Sequence, residues 1–390
     1  MNEKQKMKRV AVIFGGKSPE HDVSIVTALA SVIKPLKLLG HEVVPIYVAK
    51  NGDWFSGEEL MEIGTFQSEK IDLVMAKQKP LLVSFRDGMT VTWGSGLKRV
   101  EKKIDVVFPA MHGAYGEDGS LMGLLRMAGV AFVGCDMQAS VVAMDKVLSK
   151  QVAEANGILT PKWLSFTSED LMDNPEAMIE KIKTSLRLPV FVKPPHLGSS
   201  IGISKVEKWA DLMNAIEVAA HYDDGILVEE GVENLIEVTV PIMGTREKPE
   251  PAMVERPVRL AGEVFDFESK YMHGGKKGGK GEKGAQGYSE IPAQLPGKLY
   301  DEALSVAVGV WRAVGMEGIG RVDLLIDEKA KKIYFNEINP MPGGLYAHNF
   351  ARAGVSRVEL VRRLLELAEE SHARRGRVKT SFKTSYLKQF

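Results

Sequence analysis

Two acids, an amide and an arginine near the C-terminal end of the chain are spaced for chemistry. In Arg321 to Gly343, RVDLLIDEKAKKIYFNEINPMPG, two apolar runs flank the polar turn Asp327-Glu328-Lys329-Ala330-Lys331-Lys332, the pattern of a hairpin. Side chains on a strand alternate between faces. Alternation puts Arg321 with Asp323 on one face of the first strand and Glu337 with Asn339 on one face of the second, and sends Tyr334, Asn336 and Ile338 the other way. If the two polar faces meet, two carboxylates, an amide oxygen and a guanidinium converge. Hard oxygen ligands of this kind suit Mg²⁺, which takes one or two carboxylates together with substrate phosphates. A guanidinium beside them can bind a phosphoryl oxygen with two hydrogen bonds. The competing reading is an edge hairpin with a solvated charged face; the rigid turn Pro340-Met341-Pro342-Gly343-Gly344 directly behind the candidate ligands favours the site.

Earlier stretches must position such a site. Arg9 to Phe14 is an apolar run followed by Gly15-Gly16-Lys17-Ser18, then by a helical pattern through Val23, Val26, Ala30, Ile33 and Leu36 that ends at Gly40, and then by a second strand from His41 to Val48. Strand, Gly-rich turn, helix and strand make a βαβ unit that opens a parallel sheet. Its turn lacks GxGxxG, so dinucleotide binding has little support, and Glu20 reads either as a ligand contact or as a first-turn acid complementing the helix dipole. Residues 50–105 carry alternating patches and the turn signals Asn51-Gly52 and Asp87-Gly88, a small β excursion. Asp105 to Ala110 is another buried strand leading into Met111-His112-Gly113-Ala114-Tyr115-Gly116-Glu117-Asp118-Gly119. His112 thus stands at the C-terminal end of a strand, where open α/β sheets place ligand contacts, with a structural histidine as the alternative.

A helix begins near Lys146 and stops at Asn156-Gly157. Beyond Pro161 the pattern is strand, helix, strand, strand, helix to about residue 225. It contains Leu188 to Lys205, in which Lys193 closes an apolar strand before the turn Gly198-Ser199-Ser200-Ile201-Gly202. A lysine beside a turn rich in free N–H groups and hydroxyls suits a polyphosphate; an ordinary hairpin loop with a snorkelling lysine competes. Ile226 to Val232 is a strand ending in Glu229-Glu230, and Glu237 follows in the next strand. Residues 274–287 hold seven Gly and four Lys; such a segment cannot build a core and reads as a cationic lid over phosphates or as a plain insertion. An amphipathic helix over 301–314 precedes the hairpin, a last one spans 356–371, and residues 372–390 form a basic tail without an acid.

Composition narrows the class. The chain has 390 residues, enough for two or three domains. Lys+Arg and Asp+Glu both number 51, so no global field argues for nucleic acid. The single Cys135 excludes an intramolecular disulfide and fits a reducing compartment. No apolar run approaches the roughly 20 residues of a membrane span, and MNEKQKMKR runs into a strand without a cleavage-site pattern. The expectation is a cytoplasmic enzyme with no nucleic-acid and no membrane partner.

Taken together, FGGKSPEHDVS, FPAMHGAYGEDGS, AMDKVLSK, FVKPPHLGSSIGISKV, the VDLLID strand and NEINPMPG resemble, in the same order, the motifs of the D-alanine–D-alanine ligases of the ATP-grasp superfamily, over about Lys8 to Glu370. The resemblance implies an α/β, three-domain ATP-grasp fold with an N-terminal Rossmann-like parallel-sheet domain at 1–145. A central subdomain would cover 146–225, and a C-terminal subdomain 226–371 would carry the lid loop 272–290, before the tail 372–390. It implies that ATP phosphorylates the carboxylate of one D-alanine and that the amine of a second attacks the acyl phosphate. Lys146, Lys193 and Lys270 would contact ATP, with Glu229, Val232 and Glu237 around adenine and ribose. Asp323, Glu337 and Asn339 would carry two Mg²⁺ ions, with Mn²⁺ as a substitute. Arg321 and the backbone of Gly343 match the oxyanion site. Glu20 and His112 would bind the first D-alanine, and Glu20, Ser199 and Tyr271 match a hydrogen-bonded triad. Family members are commonly dimers, so a homodimer is expected.

In two places the sequence departs from that pattern. His348 stands where the family usually has a Ser that grips the second substrate, which opens the alternative of a ligase joining D-alanine to D-lactate, D-serine or another amino acid. The lid 273–288 is also longer and richer in lysine than the resemblance leads one to expect. A non-catalytic ATP-binding relative is the third reading, and the full set of candidate ligands and lysines opposes it.

Overall fold

The computed structural model describes residues 7–67, 70–257 and 289–390. Three sheets, each with its own apolar core, account for most of the architecture. The first has five strands in the order Trp54–Phe55, Glu42–Val48, Arg9–Gly15, Val106–Pro109 and Ala131–Phe132. Arg9–Gly15 runs parallel to both neighbours, and Ala131–Phe132 is parallel to Val106–Pro109; only the short edge strand Trp54–Phe55 is antiparallel. A parallel strand is covered on both faces, which is why RVAVIFG and VVFP are apolar without alternation. The expected helix after the glycine turn is present over His21–Leu38, with a π-helical stretch at Thr27–Ile33 in its middle. The β excursion is a three-stranded antiparallel meander of Leu82–Ser84, Met89–Trp93 and Val100–Ile104.

The second sheet is antiparallel, in the order Ser204–Val206, Val190–Lys193, Gly225–Glu230 and Trp163–Thr167. Helices Pro175–Ser185 and Leu212–Tyr222 supply Met178, Ile182, Leu212, Ala215, Ile216 and Ala219 to its core. This sheet runs on to Glu230, past the division expected at 225. The third sheet, also antiparallel, orders Pro249–Pro251, Leu235–Gly244, Gly318–Asp327 and Lys332–Asn339. Its apolar face packs on helix Leu299–Val314 and on Ala139, Ala143 and Ala153 from helices Met137–Met144 and Lys146–Ala155.

The last helix, Arg357–Gly376, returns to the beginning of the chain: Leu360, Val361, Leu364, Leu365 and Ala368 share one core with Val10, Val12 and Phe14. It extends five residues into the expected tail because Ser371, Arg374 and Arg375 all bind the buried carboxylate of Glu317. Among the described residues no helix is long and apolar enough to cross a membrane.

The first and third sheets meet backbone to backbone at Gly134 and Gly318. Gly318 has φ +80, and a Cβ there would stand 2.8 Å from Gly134 Cα. Gly318→Ala therefore combines a left-handed alanine with a backbone clash. It is expected to lower unfolding stability by about 2–4 kcal/mol, read as a fall in the urea midpoint, whereas Gly315→Ala, with nothing within 4 Å of its Cβ, isolates the backbone component.

Candidate active site

The hairpin of Gly318–Asp327 and Lys332–Asn339 sets Asp323 directly opposite Glu337 and Arg321 opposite Asn339. The Arg321 guanidinium grips Asp323 with two bonds, Nε to Oδ1 at 2.7 Å and an Nη to Oδ2 at 2.5 Å, and Asn339 Nδ2 donates to the same Oδ2 at 3.2 Å. Strict alternation fails on the second strand. A register shift at Asp323/Leu324 leaves Asn336 unpaired between Phe335, which pairs with Leu324, and Glu337. A bulge of this kind turns two consecutive side chains to one side. Ile333, Phe335 and Ile338 are buried in the core, while Tyr334 opposite Leu325, together with Asn336, lies on the face of Glu337. The alternation reading of Tyr334 and Asn336 is thus corrected; that of Ile338 stands.

Cations converge on these acids from two other elements. Lys146 is the first residue of helix Lys146–Ala155, capped by Asp145, whose carboxylate accepts from Val147 N and Leu148 N. Its Nζ lies 3.2 Å from Glu337 Oε2 and donates to Leu197 O at 2.6 Å. Lys193, at the end of Val190–Lys193, donates to Glu229 and to Asn336 Oδ1 at 3.3 Å. Lys150, one turn after Lys146, is fully buried with Nζ 2.9 Å from Glu229 Oε2, a contact between charges without aligned hydrogen-bond geometry. Burial alone would raise the Glu229 carboxyl; Lys150 and Lys193 override it and hold it at about 2. Burial conversely lowers the Lys150 ammonium, against the pull of Glu229. Val232 lies in the link between the second and third sheets, and Glu237, paired with Leu325, stands on the strand that follows.

The glycine turns supply the opposite wall. Ser199 donates to Glu20, and a Cβ on Gly113 or Gly198 would stand 3.0 or 3.2 Å from Glu20 Oε2, so both glycines lie close against the carboxylate. Ser199 and Ser200 have φ of 53 and 60, backbone strain of the kind found where a loop is preorganised. His112 is buried with Nε2 2.9 Å from Thr27 Oγ1, and Gly344 N–H donates to that same oxygen at 3.0 Å. Glu117 buckles the loop to the hairpin turn: Oε2 accepts from Gly113 N at 2.6 Å and Oε1 from Met341 N at 3.0 Å. Burial disfavours the charged imidazole of His112, yet the neighbouring Glu117 raises its pKa above the ordinary value. Gly343 opens the turn Gly343–Tyr346 that these contacts seat.

His348 sits on helix Ala347–Arg352 and meets the buried Glu255, with Nε2 3.0 and 3.2 Å from the two carboxylate oxygens; Asn349 Nδ2 donates to Glu255 as well. The Tyr346 ring lies 4.8 Å from the His348 ring, tilted by 49°, and carries the Arg321 guanidinium over its face at 5.2 Å. The hairpin donors are all oxygen, two carboxylates and neighbouring amides, the set that hard divalent cations take. Lys270, Tyr271 and lid residues 272–288 lie outside the described residues; Ser289–Glu290 pairs with Arg256–Pro257.

Glu117, Lys150, Glu255 and His196 escaped the sequence reading. Lys150 had a signal, the four-residue spacing from Lys146 that puts both on one helix face. His196 fastens the glycine-rich loop: its N–H donates to Asp223 Oδ2 at 2.7 Å, Nδ1 lies 2.9 Å from Asp223 Oδ1, and Nε2 lies 3.5 Å from Asp145. With Asp223 and Asp224 it groups three metal-type side chains, but both ring nitrogens already face carboxylates. Hydrogen bonds to Asp145 and Asp223 raise its pKa to about 10. The raised value means that the imidazolium stabilises the fold fully below the ordinary pKa near 6.5 and loses that contribution as pH rises through about 10. His196→Gln should loosen the loop between Lys193 and Ser199; if that loop covers ATP, as the family resemblance implies, the KM for ATP is expected to rise several-fold with a smaller change in kcat. The wild-type advantage in urea midpoint should be constant below neutrality and vanish above about pH 10; an advantage that persists at high pH would contradict the charged clasp.

Comparison with known proteins agrees with this geometry. The family models described as D-ala D-ala ligase N-terminus and D-ala D-ala ligase C-terminus match residues 9–135 and 152–366. The chain is 36% identical to the D-alanine–D-alanine ligase of Chlorobium limicola over 94% of its length and 99% of that protein. It is 34% identical to that of Geobacillus thermodenitrificans over 96% and 99%. Among solved structures, the D-alanine–D-alanine ligase of Coxiella burnetii superposes with a TM-score of 0.76 at 24% identity, covering 96% of this chain and 97% of that one. The VanG D-Ala:D-Ser ligase of Enterococcus faecalis gives 0.73 at 29%, covering 93% and 100%. The expected α/β ATP-grasp fold is the fold of this protein, and the chain belongs to the D-alanine–D-alanine ligase family.

Proposed function

We propose that this protein is an ADP-forming ligase that condenses two D-alanines to D-alanyl-D-alanine through a D-alanyl phosphate, for peptidoglycan precursor synthesis. One observation carries the reading: Arg321, Asp323, Glu337 and Asn339 share one face of the bulged hairpin, with Lys146 paired to Glu337, in a chain that matches ligases of this family along nearly its whole length. Phosphoryl transfer depends on alignment and charge neutralisation, and the site is built from groups that do both.

Lys146 and Lys193 would pair with the ATP phosphates, Lys270 beside them by family resemblance. Both Glu229 oxygens face Lys150 and Lys193, so Glu229 acts through the lysines, and the backbone at Val232 and the Glu237 side chain are the candidates for adenine and ribose. ATP and a divalent metal come with the family; two Mg²⁺ ions on Asp323, Glu337 and Asn339, replaceable by Mn²⁺, would neutralise charge on the transferred phosphoryl group. Glu20, held by Ser199 and reached by Tyr271 in the family pattern, would take the ammonium of the first D-alanine, with His112 orienting its carboxylate. Arg321 and the Gly343 N–H would face the oxyanion that forms when the second amine attacks. A homodimer in the cytoplasm completes the proposal.

A second reading concerns the acceptor only. His348 paired to Glu255 replaces a small neutral hydroxyl by a large polar pair, which favours testing D-serine, D-lactate and other amino acids beside D-alanine. Incubation with ATP, Mg²⁺ and D-alanine, with products identified by mass, is expected to yield the dipeptide and one phosphate per bond formed. Dipeptide formed only with another acceptor would select the second reading, and no ATP turnover with any of them would contradict both. Glu337→Gln is expected to lower kcat by roughly 100-fold or more while the urea midpoint moves little, since the change lies in an open polar site. Near-normal turnover in that variant would refute the metal assignment.

A further inference from the structure

Beyond the last helix, residues 377–390, RVKTSFKTSYLKQF, form a segment unlike the rest of the surface. Every residue in it is exposed, and the hydrogen bonds it makes are local: Arg377 N to Arg374 O and Val378 N to Arg375 O close the last helix, and Tyr386 N to Thr384 Oγ1 and Lys388 N to Ser385 O lie within the segment. Five large apolar side chains nonetheless occur in thirteen residues: Val378, Phe382, Tyr386, Leu387 and Phe390 are 60–92% exposed. Elsewhere such side chains are scattered singly, which is normal for a soluble protein; here they fall close together in one short stretch. Interleaved with them are Arg377, Lys379, Lys383 and Lys388, none with an acidic partner among the described residues, and there is no acid after Glu370. The charge is also segregated. Because acids and bases balance at 51 each over the whole chain, the six basic residues after Glu370 leave the preceding body with a net charge of −6.

We propose that residues 377–390 are a peripheral membrane-docking segment that binds an anionic lipid surface. Lysines and arginines next to a negative leaflet gain from its surface potential. Apolar side chains set between them enter the boundary between headgroups and acyl chains, while lysine stems lie along the apolar layer with their ammonium groups in the headgroups. The alternation of single cations with single apolar groups suits a planar interface that is charged outside and apolar just beneath. A nucleic acid would satisfy the cations and stack the three aromatic rings, but it has no place for Val378 and Leu387. The protein's own body carries the complementary charge, yet among the described residues none of the segment's cations is paired with one of its acids, and the segment's side chains stay exposed. Among the described residues no helix is long and apolar enough to cross a membrane, and a surface contact of this kind needs none; the proposal departs from the expectation of no membrane partner. The segment lies beyond the C-terminal family match, which ends at residue 366, and the proposal is independent of which acceptor the ligase uses.

The test is co-sedimentation of the full chain with vesicles of phosphatidylcholine alone and of phosphatidylcholine with phosphatidylglycerol in equal parts. The expected result is at least about tenfold stronger binding to the anionic vesicles, weakened by high salt. Two triple variants separate the contributions, with ATP turnover on soluble substrates as the control that each is folded. K379Q/K383Q/K388Q should lose the preference for anionic vesicles. F382S/L387S/F390S, which keeps every charge, should also bind several-fold more weakly. Equal binding to both vesicle types, or no sedimentation, overturns the proposal. So does an apolar variant that binds like the wild type, or polyuridylate displacing the vesicles from the wild type while binding both it and the apolar variant equally.

Discussion

Two carboxylates that face each other across a hairpin repel, and the fold around Asp323 and Glu337 is largely the means of holding them there. Asp323 is tied to Arg321 on its own strand, and Glu337 to Lys146 from the first turn of a helix packed on the same sheet. The bulge after Asp323 adds Asn336 to the same face and brings Lys193 to it. Neighbouring cations offset like-charge repulsion without removing the oxygen donors that a divalent ion needs.

The three cores explain how so many charged groups are fixed at once. The third sheet buries Val322, Leu324, Ile326, Phe335 and Ile338 on one face, leaving the other for Arg321, Asp323, Glu337 and Asn339. Helix Lys146–Ala155 belongs to that same core through Ala153 yet carries Lys146 and Lys150 toward the cleft. Glu117 and Thr27 then fasten the turn after the hairpin to the first sheet, and the final helix packs the end of the fold onto its beginning. A displacement of one sheet would be felt at the contacts that join it to the others, Lys150 with Glu229, Lys193 with Asn336 and Glu117 with Met341.

Much of this was legible in the sequence, for reasons that can be named. The opening βαβ unit, the hairpin and the Lys193 loop declare themselves through local periodicity and glycine placement. Arg321, Asp323, Glu337 and Asn339 follow from a two-residue period, and that period is what misled for Tyr334 and Asn336: a bulge is one extra residue in a ladder, with no signature in the strand that carries it. Glu117, His196 and Glu255 were illegible because their partners lie far along the chain. Glu117 meets Met341 from 224 residues away and His348 meets Glu255 across 93. A buried acid among glycines reads as surface until its donors are known. The end of the last helix was also misplaced, since the acid that holds Arg374 and Arg375 is Glu317, between two other elements.

The central claim is that this hairpin activates a carboxylate by phosphoryl transfer, and an oxygen label tests it most directly. If a carboxylate oxygen of D-alanine attacks the γ-phosphorus and the acceptor amine later expels phosphate from the acyl carbon, that oxygen leaves with the phosphate. With D-alanine labelled by ¹⁸O in both carboxylate oxygens, the account predicts one labelled oxygen in each phosphate released, in step with dipeptide formed. Unlabelled phosphate accompanying dipeptide would contradict it, because the carboxylate would then have been activated by some route other than transfer at Asp323 and Glu337.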